Sequence, residues 1–374
     1  MGSLAVVEIE AVALRRISMP LVQPFRTSFG IHADREVVLV RVRTPEGDGW
    51  GECVAMDDPD YSYEWVDSAQ LVLRKHLAPR LLKEQQVGAF DVARILAPVR
   101  GHRMAKAALE MAVLDAELRM SGQSFAQALG ATRTHVDCGV SVGIPNSIDD
   151  LLDQVAGYLV AGYKRIKLKI EPGWDFEPVR AVRDAFPDVP LQVDANQAYS
   201  LDDADLLGKL DECDLLLIEQ PLGEDDLIGH AQLSKRIATP ICLDESIHSA
   251  NDALTAIELG ACSIVNIKAG RVGGYLEAVK VHDLCASIGV PVWCGGMLET
   301  GLGRAANLAL AALPGFTLTG DTSASDRFYV RDITRPFVMQ DGRLEVPSGP
   351  GLGVEPDKDA LTKFTTAVEE IRKA

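Results

Sequence analysis

Eight short apolar runs follow one another after about residue 130, each separated from the next by an amphipathic stretch. The runs are Val136–Ile144, Arg165–Ile170, Leu191–Asn196, Leu215–Gln220, Pro240–Glu245, Ile264–Ala269, Pro291–Gly296 and Phe316–Asp321. Short strand-like runs that alternate with helical stretches are typical of βα units on a parallel sheet. Because eight such units close a TIM-type barrel, the pattern predicts an α/β fold with a (β/α) barrel over residues 131–330.

The first 130 residues have a different texture, which predicts an α+β domain. The apolar segments Val6–Val12, Val37–Val42 and Trp50–Val54, with the turn-like Pro45–Gly49 between the last two, suggest a small antiparallel sheet. A helical pattern covers Met104–Arg119. The segment 331–374 contains no ninth unit, so we expect it to pack back on this amino-terminal domain.

Composition narrows the classes of partner. A formal net charge of −17 with no basic run argues against nucleic acid and anionic membranes as partners. The chain has no apolar stretch of 18 residues, no secretory signal pattern at Met1–Glu10, and seven scattered cysteines without a C-x-x-C pair. We therefore expect a cytoplasmic protein whose cysteines are small core residues. An anionic substrate would need a local cation to receive it.

A polar residue ends nearly every apolar run, and five of these residues recur with a nearly fixed step. Lys169, Asp194, Glu219, Asp244 and Lys268 are separated by 25, 25, 25 and 24 residues. One βα unit has about this length, so each residue is predicted at the carboxyl end of a successive strand. Active sites of TIM barrels lie at that end, which makes these five residues the candidate site.

Three of the five are carboxylates, and they are candidate metal ligands. Asp194, Glu219 and Asp244 would repel one another at neighbouring strand ends unless a cation lay between them. Hard oxygen ligands favour Mg²⁺, with Mn²⁺ or another divalent ion as an alternative. A different interpretation is that each carboxylate caps the helix that follows it.

The other two are lysines at the ends of the second and sixth strands, which face each other across an eight-stranded barrel. Lys169 and Lys268 could therefore reach opposite faces of a substrate held on the metal. A lysine that is partly desolvated and near a divalent ion should have a lowered pKa and act as a general base. Lys167 shares a strand face with Lys169, and we expect it to pair with a carboxylate and to disfavour protonation of Lys169. Alternatively, the lysines are only salt-bridge partners of the acids.

At these positions the sequence resembles the enolase superfamily, in its muconate-lactonizing branch, and within it the o-succinylbenzoate synthase / N-succinylamino acid (N-acylamino acid) racemase group. The stretches that carry the resemblance are Pro24–Gly30, Trp50–Met56, Gly101–Ala105, Lys167–Gly173, Val193–Asn196, Ile218–Pro221, Leu243–Ser246, Cys294–Met297 and Gly320–Ser323. One departure is Ala269 after Lys268, where the group has proline. Arg271 matches the pattern.

The resemblance implies what the chain binds and does. It implies that the amino-terminal domain caps the barrel, and that a metal-bound small-molecule carboxylate loses its α-proton to a lysine, giving an enediolate. In racemisation, Lys169 and Lys268 would act on opposite faces. In dehydration of 2-succinyl-6-hydroxy-2,4-cyclohexadiene-1-carboxylate to o-succinylbenzoate, a step of menaquinone synthesis, Lys169 would move the proton and Lys268 would stabilise charge. We also expect a homo-oligomer.

Further candidate residues surround this core. The strand-end residues Ser141, Asn196, Gly296 and Met297 are candidate substrate contacts, although each could equally serve packing or turns. The resemblance adds loops that close over the substrate, with Phe25, Phe29 and Met56 as apolar lid contacts. Glu245 has the opposite strand parity to Asp244, so we expect Glu245, like Arg271, to support the site from behind.

Three rival interpretations remain from the sequence. Dipeptide epimerisation or muconate cycloisomerisation would use the same catalytic frame and differ only in pocket residues. A Schiff-base aldolase would use a barrel lysine without a metal, so its activity would survive EDTA. A non-catalytic binding protein would leave the regular series of strand-end residues unexplained.

Overall fold

The computed structural model describes residues 6–373, and its amino-terminal part is built on a four-stranded antiparallel sheet. With elements numbered in chain order, the strands are β1 (Ala11–Arg26), β2 (Ile31–Thr44), β3 (Gly47–Cys53) and the carboxyl-terminal β13 (Thr365–Arg372). The sheet order is β13-β1-β2-β3. Because β13 pairs with β1 along the sheet edge, the end of the chain completes the amino-terminal domain, as expected.

The first strand begins later and runs much further than predicted. The predicted strand Val6–Val12 overlaps β1 only at its last two residues, and Val7 instead forms an isolated bridge with Val87. The rest of β1 was not predicted because it contains Pro20 and Pro24, and proline usually interrupts a strand. The structure accommodates them where the pairing with β2 is interrupted, between Pro20 and Phe25.

Helices cover one face of this sheet and link it to the barrel. They are α1 (Val66–Val72), α2 (Ala78–Leu81), α3 (Ala89–Leu96), α4 (Arg103–Ser121) and α5 (Phe125–Leu129), with a π-helical turn at Leu73–Leu77. The predicted helix Met104–Arg119 is confirmed as α4. It lies directly on β3, where Gly49 and Gly51 allow the two backbones to approach closely.

Substitution of Gly51 should destabilise the cap. A Cβ atom at this position would lie 2.0 Å from the backbone oxygen of Ala108, so α4 would have to move. We expect Gly51→Ala to lower the free energy of unfolding by about 1–3 kcal/mol in urea denaturation. Gly157→Ala is the control, because nothing lies within 4 Å of its added Cβ. Equal stability of the two variants would contradict the close packing.

The second part of the chain is a parallel barrel. Its strands are β5 (Gly139–Val142), β6 (Arg165–Lys169), β7 (Leu191–Asp194), β8 (Ile218–Glu219), β9 (Ile241–Leu243), β10 (Ile264–Ile267) and β11 (Val292–Cys294), hydrogen-bonded in that sequence. The intervening helices are α6 (Ile148–Val160), α7 (Phe176–Ala185), α8 (Ala204–Leu207), α9 (Leu227–Leu233), α10 (Ala250–Glu258), α11 (Ala269–Val272), α12 (Tyr275–Ser287) and α13 (Gly301–Ala311). Seven of the eight predicted runs therefore contribute a parallel strand.

The first and last predicted runs differ in detail. Val136–Ile144 is split into β4 (His135–Asp137) and β5, because β4 pairs antiparallel with β12 (Arg343–Glu345) outside the barrel. Phe316–Asp321 does not form a regular strand. Its backbone still closes the ring, since the Gly320 oxygen accepts from Gly139 N (3.0 Å) and Asp321 N donates to the Cys294 oxygen (2.9 Å).

An α/β barrel with an α+β cap completed by the carboxyl-terminal segment is thus confirmed, and α14 (Lys358–Phe364) leads into β13. All seven cysteines are buried and free, as small core residues should be. No helix within residues 6–373 has the length and apolar character needed to cross a bilayer. The boundaries at residues 130 and 330 and the homo-oligomer stay predictions.

Candidate active site

The five periodic residues meet at the carboxyl end of the barrel. Lys169, Asp194 and Glu219 are the last residues of β6, β7 and β8. In the strand register, Lys169 lies opposite Asp194, and Asp194 lies opposite Glu219. Asp244 and Lys268 directly follow β9 and β10. All five are buried. The step of about 25 residues therefore corresponds to one βα unit, as predicted.

Each of the two facing lysines is paired with an acid. Lys169 Nζ lies 2.6 Å from Asp194 Oδ2 and 2.5 Å from Asn196 Oδ1. Lys268 Nζ lies 2.7 Å from Asp244 Oδ2 and 3.1 Å from the Tyr61 hydroxyl. The salt-bridge interpretation thus describes real contacts. It does not account for the fact that both lysines also line the same cavity.

Lys167 lies among three carboxylates. Its Nζ is 2.8 Å from Glu219 Oε2, 2.7 Å from Asp321 Oδ2 and 3.2 Å from Asp194 Oδ2. Burial acts to lower the pKa of Lys167, but these acids raise it more, so the net pKa lies well above its ordinary value. Lys167 is therefore a fixed cation that pairs with carboxylates, in agreement with the sequence-based expectation for its contacts.

Burial and the neighbouring side chains act in opposite directions on the pKa of Lys268. Burial would lower the pKa of Lys268, but Tyr61, Glu219 and Glu245 raise it more, so that the net shift is upward. Burial, followed by repulsion from Asp194, raises the pKa of Glu219. This net upward shift of the Lys268 pKa is opposite to the lowered lysine pKa expected from the sequence, because the neighbouring groups outweigh burial. Positive charge placed among the same carboxylates would lower the pKa of Lys268.

The donor set fits a hard divalent cation in its chemistry. Between residues 6 and 373, the structure contains no group of three Asp, Glu, His or Cys side chains close enough to hold a metal ion as they stand. Each predicted ligand instead forms an ion pair with a lysine. The three carboxylates nevertheless end adjacent strands. Beside them, Glu245 Oε2 and Asn266 Oδ1 are buried oxygens without a hydrogen-bond donor. Buried, unsatisfied oxygens among carboxylates are suited to a cation.

Arg271 and Glu245 lie behind the site. Arg271 contacts Asp244 and donates from Nε to the Ile247 oxygen (2.7 Å) and from Nη2 to the Asn266 oxygen (2.6 Å). Glu245 Oε1 accepts from Asn196 Nδ2 (3.0 Å). Burial, followed by repulsion from Asp194, raises the pKa of Glu245 to about 7.

The departure at Ala269 leaves the local backbone intact. Ala269 is the first residue of α11, and Lys268 is the residue immediately before that helix. Proline is favoured at the first helical position because it fixes φ, but it is not required there. Close packing holds the helix instead, since a Cβ atom on Gly270 would lie 2.3 Å from Val54 of the cap.

A cavity of about 650 Å³, part of it open to solvent, lies between the cap and the barrel mouth. It is lined by all seven residues predicted to contact substrate, namely Phe25, Phe29, Met56, Ser141, Asn196, Gly296 and Met297. Lys167, Lys169 and Lys268 also line it, whereas Asp194, Glu219 and Asp244 do not line it and instead contact these lysines. The structure therefore brings the predicted lysines and substrate contacts to one cavity.

Several lining residues were not predicted, among them Tyr61, His32 and Asp321. Asp321 ends the eighth apolar run, so the rule that found the other strand-end residues would have found it too. Asp321 Oδ1 accepts from Arg165 Nη2 (2.8 Å), in addition to its contact with Lys167. Tyr61 and His32 reach the cavity from the cap, where no periodic pattern marks them.

Comparison with known proteins agrees with the fold. Residues 9–130 match the mandelate racemase / muconate lactonizing enzyme amino-terminal domain, and residues 150–360 match the enolase carboxyl-terminal domain-like family. The chain belongs to the enolase superfamily. Enzymes of this superfamily generally use a divalent metal ion.

Two curated relatives and one solved structure illustrate the similarity. An N-succinylamino acid racemase from an Amycolatopsis species is 64% identical over 361 residues, which cover 96% of this chain and 98% of the relative. An o-succinylbenzoate synthase from Geobacillus kaustophilus is 49% identical, with 96% of each chain covered. A dipeptide epimerase from Cytophaga hutchinsonii, solved with Mg and the dipeptide D-Ala-L-Val, is 26% identical with a TM-score of 0.89, over 98% of this chain and all of that one. This member of the enolase superfamily is thus an enzyme that acts on a small molecule.

Proposed function

We propose that this enzyme abstracts the α-proton of a carboxylate substrate, as an o-succinylbenzoate synthase, an N-succinyl/N-acylamino acid racemase, or both. One observation carries the proposal. Lys169 and Lys268 stand at the ends of the second and sixth barrel strands, which face each other across an eight-stranded ring, and both line one cavity while each is paired with an acid. The names of the two curated relatives support these substrates.

In this proposal the two lysines exchange protons with the two faces of one carbon atom. For racemisation, the neutral amine of one lysine takes the α-proton, and the ammonium of the other delivers a proton to the opposite face. For dehydration, Lys169 takes the proton and then protonates the leaving hydroxyl. Lys268 stays protonated, held over the Tyr61 ring at 4.5 Å, and stabilises negative charge.

Asp194, Glu219 and Asp244 are the proposed ligands of Mg²⁺, with Mn²⁺ as an alternative. A bound ion would hold the substrate carboxylate and stabilise the negative charge that develops as the α-proton leaves. Asn266 donates to Glu219 Oε1 (2.7 Å) and so fixes one ligand, while Arg271 fixes Asp244. The dipeptide epimerase of the same fold was solved in complex with Mg, which supports this assignment.

The cavity favours an acylated amine over a free one. Among the described lining residues, the carboxylate of Asp321 is the one acidic group, and Lys167 and Arg165 neutralise it. A substrate with a free α-ammonium, such as a dipeptide, therefore finds no unpaired acid there. The phenyl rings of Phe25 and Phe29 and the Met56 side chain offer apolar contacts to an acyl chain instead.

A parallel assay tests the proposal. Purified protein is incubated with the cyclohexadiene acid and with panels of N-succinyl amino acids, N-acetyl amino acids and dipeptides, with and without EDTA. We expect turnover of the cyclohexadiene acid and of the N-succinyl amino acids, and loss of this activity in EDTA. Epimerisation of the dipeptides should be weaker. Activity that survives exhaustive EDTA treatment would favour a Schiff-base reaction and contradict the proposal.

Esterification of the substrate should abolish the reaction. A methyl ester cannot present a carboxylate to a cation held by Asp194, Glu219 and Asp244, so its α-carbon would not be placed between the lysines. We expect α-proton exchange of an N-acyl amino acid methyl ester in D₂O to be at least about 100-fold slower than that of the free acid. The measurement is loss of the α-proton signal by NMR. Equal rates would show that the carboxylate is not the organising contact.

A further inference from the structure

A glutamate of the cap holds the start of a barrel helix. Glu52 lies on β3, is buried, and accepts three hydrogen bonds from the amino terminus of α13. The donors are Thr300 N (2.9 Å), Thr300 Oγ1 (2.5 Å) and Gly303 N (2.9 Å). A carboxylate is well placed at a helix amino terminus, because it satisfies free N–H groups and complements the helix dipole. Here the capping carboxylate comes from the other domain.

The segment just before α13 forms one wall of the cavity. Gly296, Met297 and Leu298 line that cavity. Leu298 has a φ of 58°, a conformation that a leucine adopts only under external constraint. Its oxygen accepts from the Tyr329 hydroxyl (2.5 Å), while Glu299 Oε1 accepts from Met297 N (2.8 Å). The wall is therefore held by discrete contacts on both sides, and Glu52 anchors its carboxyl-terminal end.

We propose that Glu52 is a positioning residue, which acts through Thr300 and Gly303 to fix the cavity wall Gly296–Leu298 and thereby sets substrate affinity. The catalytic lysines come from other strands, so their chemistry does not depend on this contact. Loss of Glu52 should thus weaken substrate binding much more than turnover of the bound substrate.

Glu117 provides a matched control within the same chain. Its Oε1 accepts from Ala89 N (3.0 Å) at the amino terminus of α3, remote from the cavity lining. Both glutamates are buried, and burial raises the pKa of each to about 7. Experiments at about pH 8.5 therefore compare two ionised carboxylates that cap helices. Only one of the two helices follows a cavity wall.

The first experiment is hydrogen exchange measured by mass spectrometry on the variants Glu52→Gln and Glu117→Gln. We expect Glu52→Gln to speed exchange of the peptide covering residues 295–303 by about tenfold, because Thr300 N and Gly303 N bond different carboxylate oxygens and glutamine keeps only one of these two acceptors, without its charge. Glu117→Gln should leave that peptide unchanged. This measurement needs no substrate, so it decides on Glu52 even if the proposed function fails.

The second experiment rests on the proposed function and uses the N-succinyl amino acid that the unaltered enzyme racemises best. Glu52→Gln should raise KM by about tenfold with kcat changed by less than about threefold, while Glu117→Gln should change neither. An unaltered KM in Glu52→Gln, or an equal rise in both variants, would overturn the proposal. If Glu52→Gln does not fold, Thr300→Val removes one of the same hydrogen bonds and Thr300→Ser restores it. Equal KM for these two variants would also overturn it.

Discussion

Replacement of Lys268 by alanine should abolish racemisation and yet leave α-proton exchange of one enantiomer. Lys169 remains on its own side of the cavity, so it can still take the hydrogen that faces it and return deuterium in D₂O. Lys169→Ala should show the mirror-image result. Removal of a general base typically costs about 10²–10⁴-fold in rate, and racemisation requires both lysines, so each variant should lose it by at least this factor.

Proton NMR of each pure enantiomer with each variant gives the measurement. Lys164→Ala is a suitable control, because Lys164 pairs with Asp137 away from the cavity lining. Dehydration of the cyclohexadiene acid should fail in both active-site variants, for want of a base in one and of a cation in the other. Exchange of both enantiomers at equal rates by a single-lysine variant would show that one base reaches both faces, and the two-base assignment would have to be withdrawn.

Neutralising any one of the three strand-end carboxylates should also abolish activity. In Asp194→Asn, Glu219→Gln or Asp244→Asn, one of the proposed anionic ligands is lost and a neighbouring lysine loses its ion-pair partner. The same acids would bind the metal ion and pair with the lysines. We therefore expect weaker Mg²⁺ binding by calorimetry and a fall in turnover of at least about 10³-fold, because several kcal/mol of charge stabilisation are removed. The substitutions preserve side-chain size, so circular dichroism should show a folded protein.

Asp184→Asn serves as the control for these variants, because Asp184 pairs with Arg180 on the exposed face of α7. Its Mg²⁺ affinity and turnover should match those of the unaltered enzyme. Normal turnover in any of the three active-site variants would remove that residue from the ligand set. Weak Mg²⁺ binding combined with normal turnover would mean that the ion is not needed for the reaction.

The site was predictable from the sequence to the extent that it follows the barrel repeat. A βα unit returns to the same end of the sheet after about 25 residues, so a periodic series of polar residues marks one ring of side chains. Lys169, Asp194, Glu219, Asp244 and Lys268 were found in this way. Asp321 obeys the same rule, since it ends the eighth run and contacts Lys167. Its irregular backbone is the one feature that distinguishes it from the other strand-end residues.

Contacts between the cap and the barrel could not be derived in the same way. Tyr61 reaches Lys268 from a cap loop, 207 residues away in the chain, and no local pattern records such a distance. Glu52 reaches Thr300 across 248 residues. Both approaches depend on how α4 and β3 are seated on the barrel, and that seating is a property of the packed domains.

Periodicity and composition therefore determined the fold class, the strand-end residues and the acidic, metal-compatible chemistry of this protein, because these depend on repeats within short stretches of chain. Tertiary structure alone decided the pairing of each lysine with its acid, the antiparallel partner of β1 at the far end of the chain, and the cavity wall held by Glu52. These features join residues far apart in sequence, and their geometry is fixed only when close packing brings the elements together.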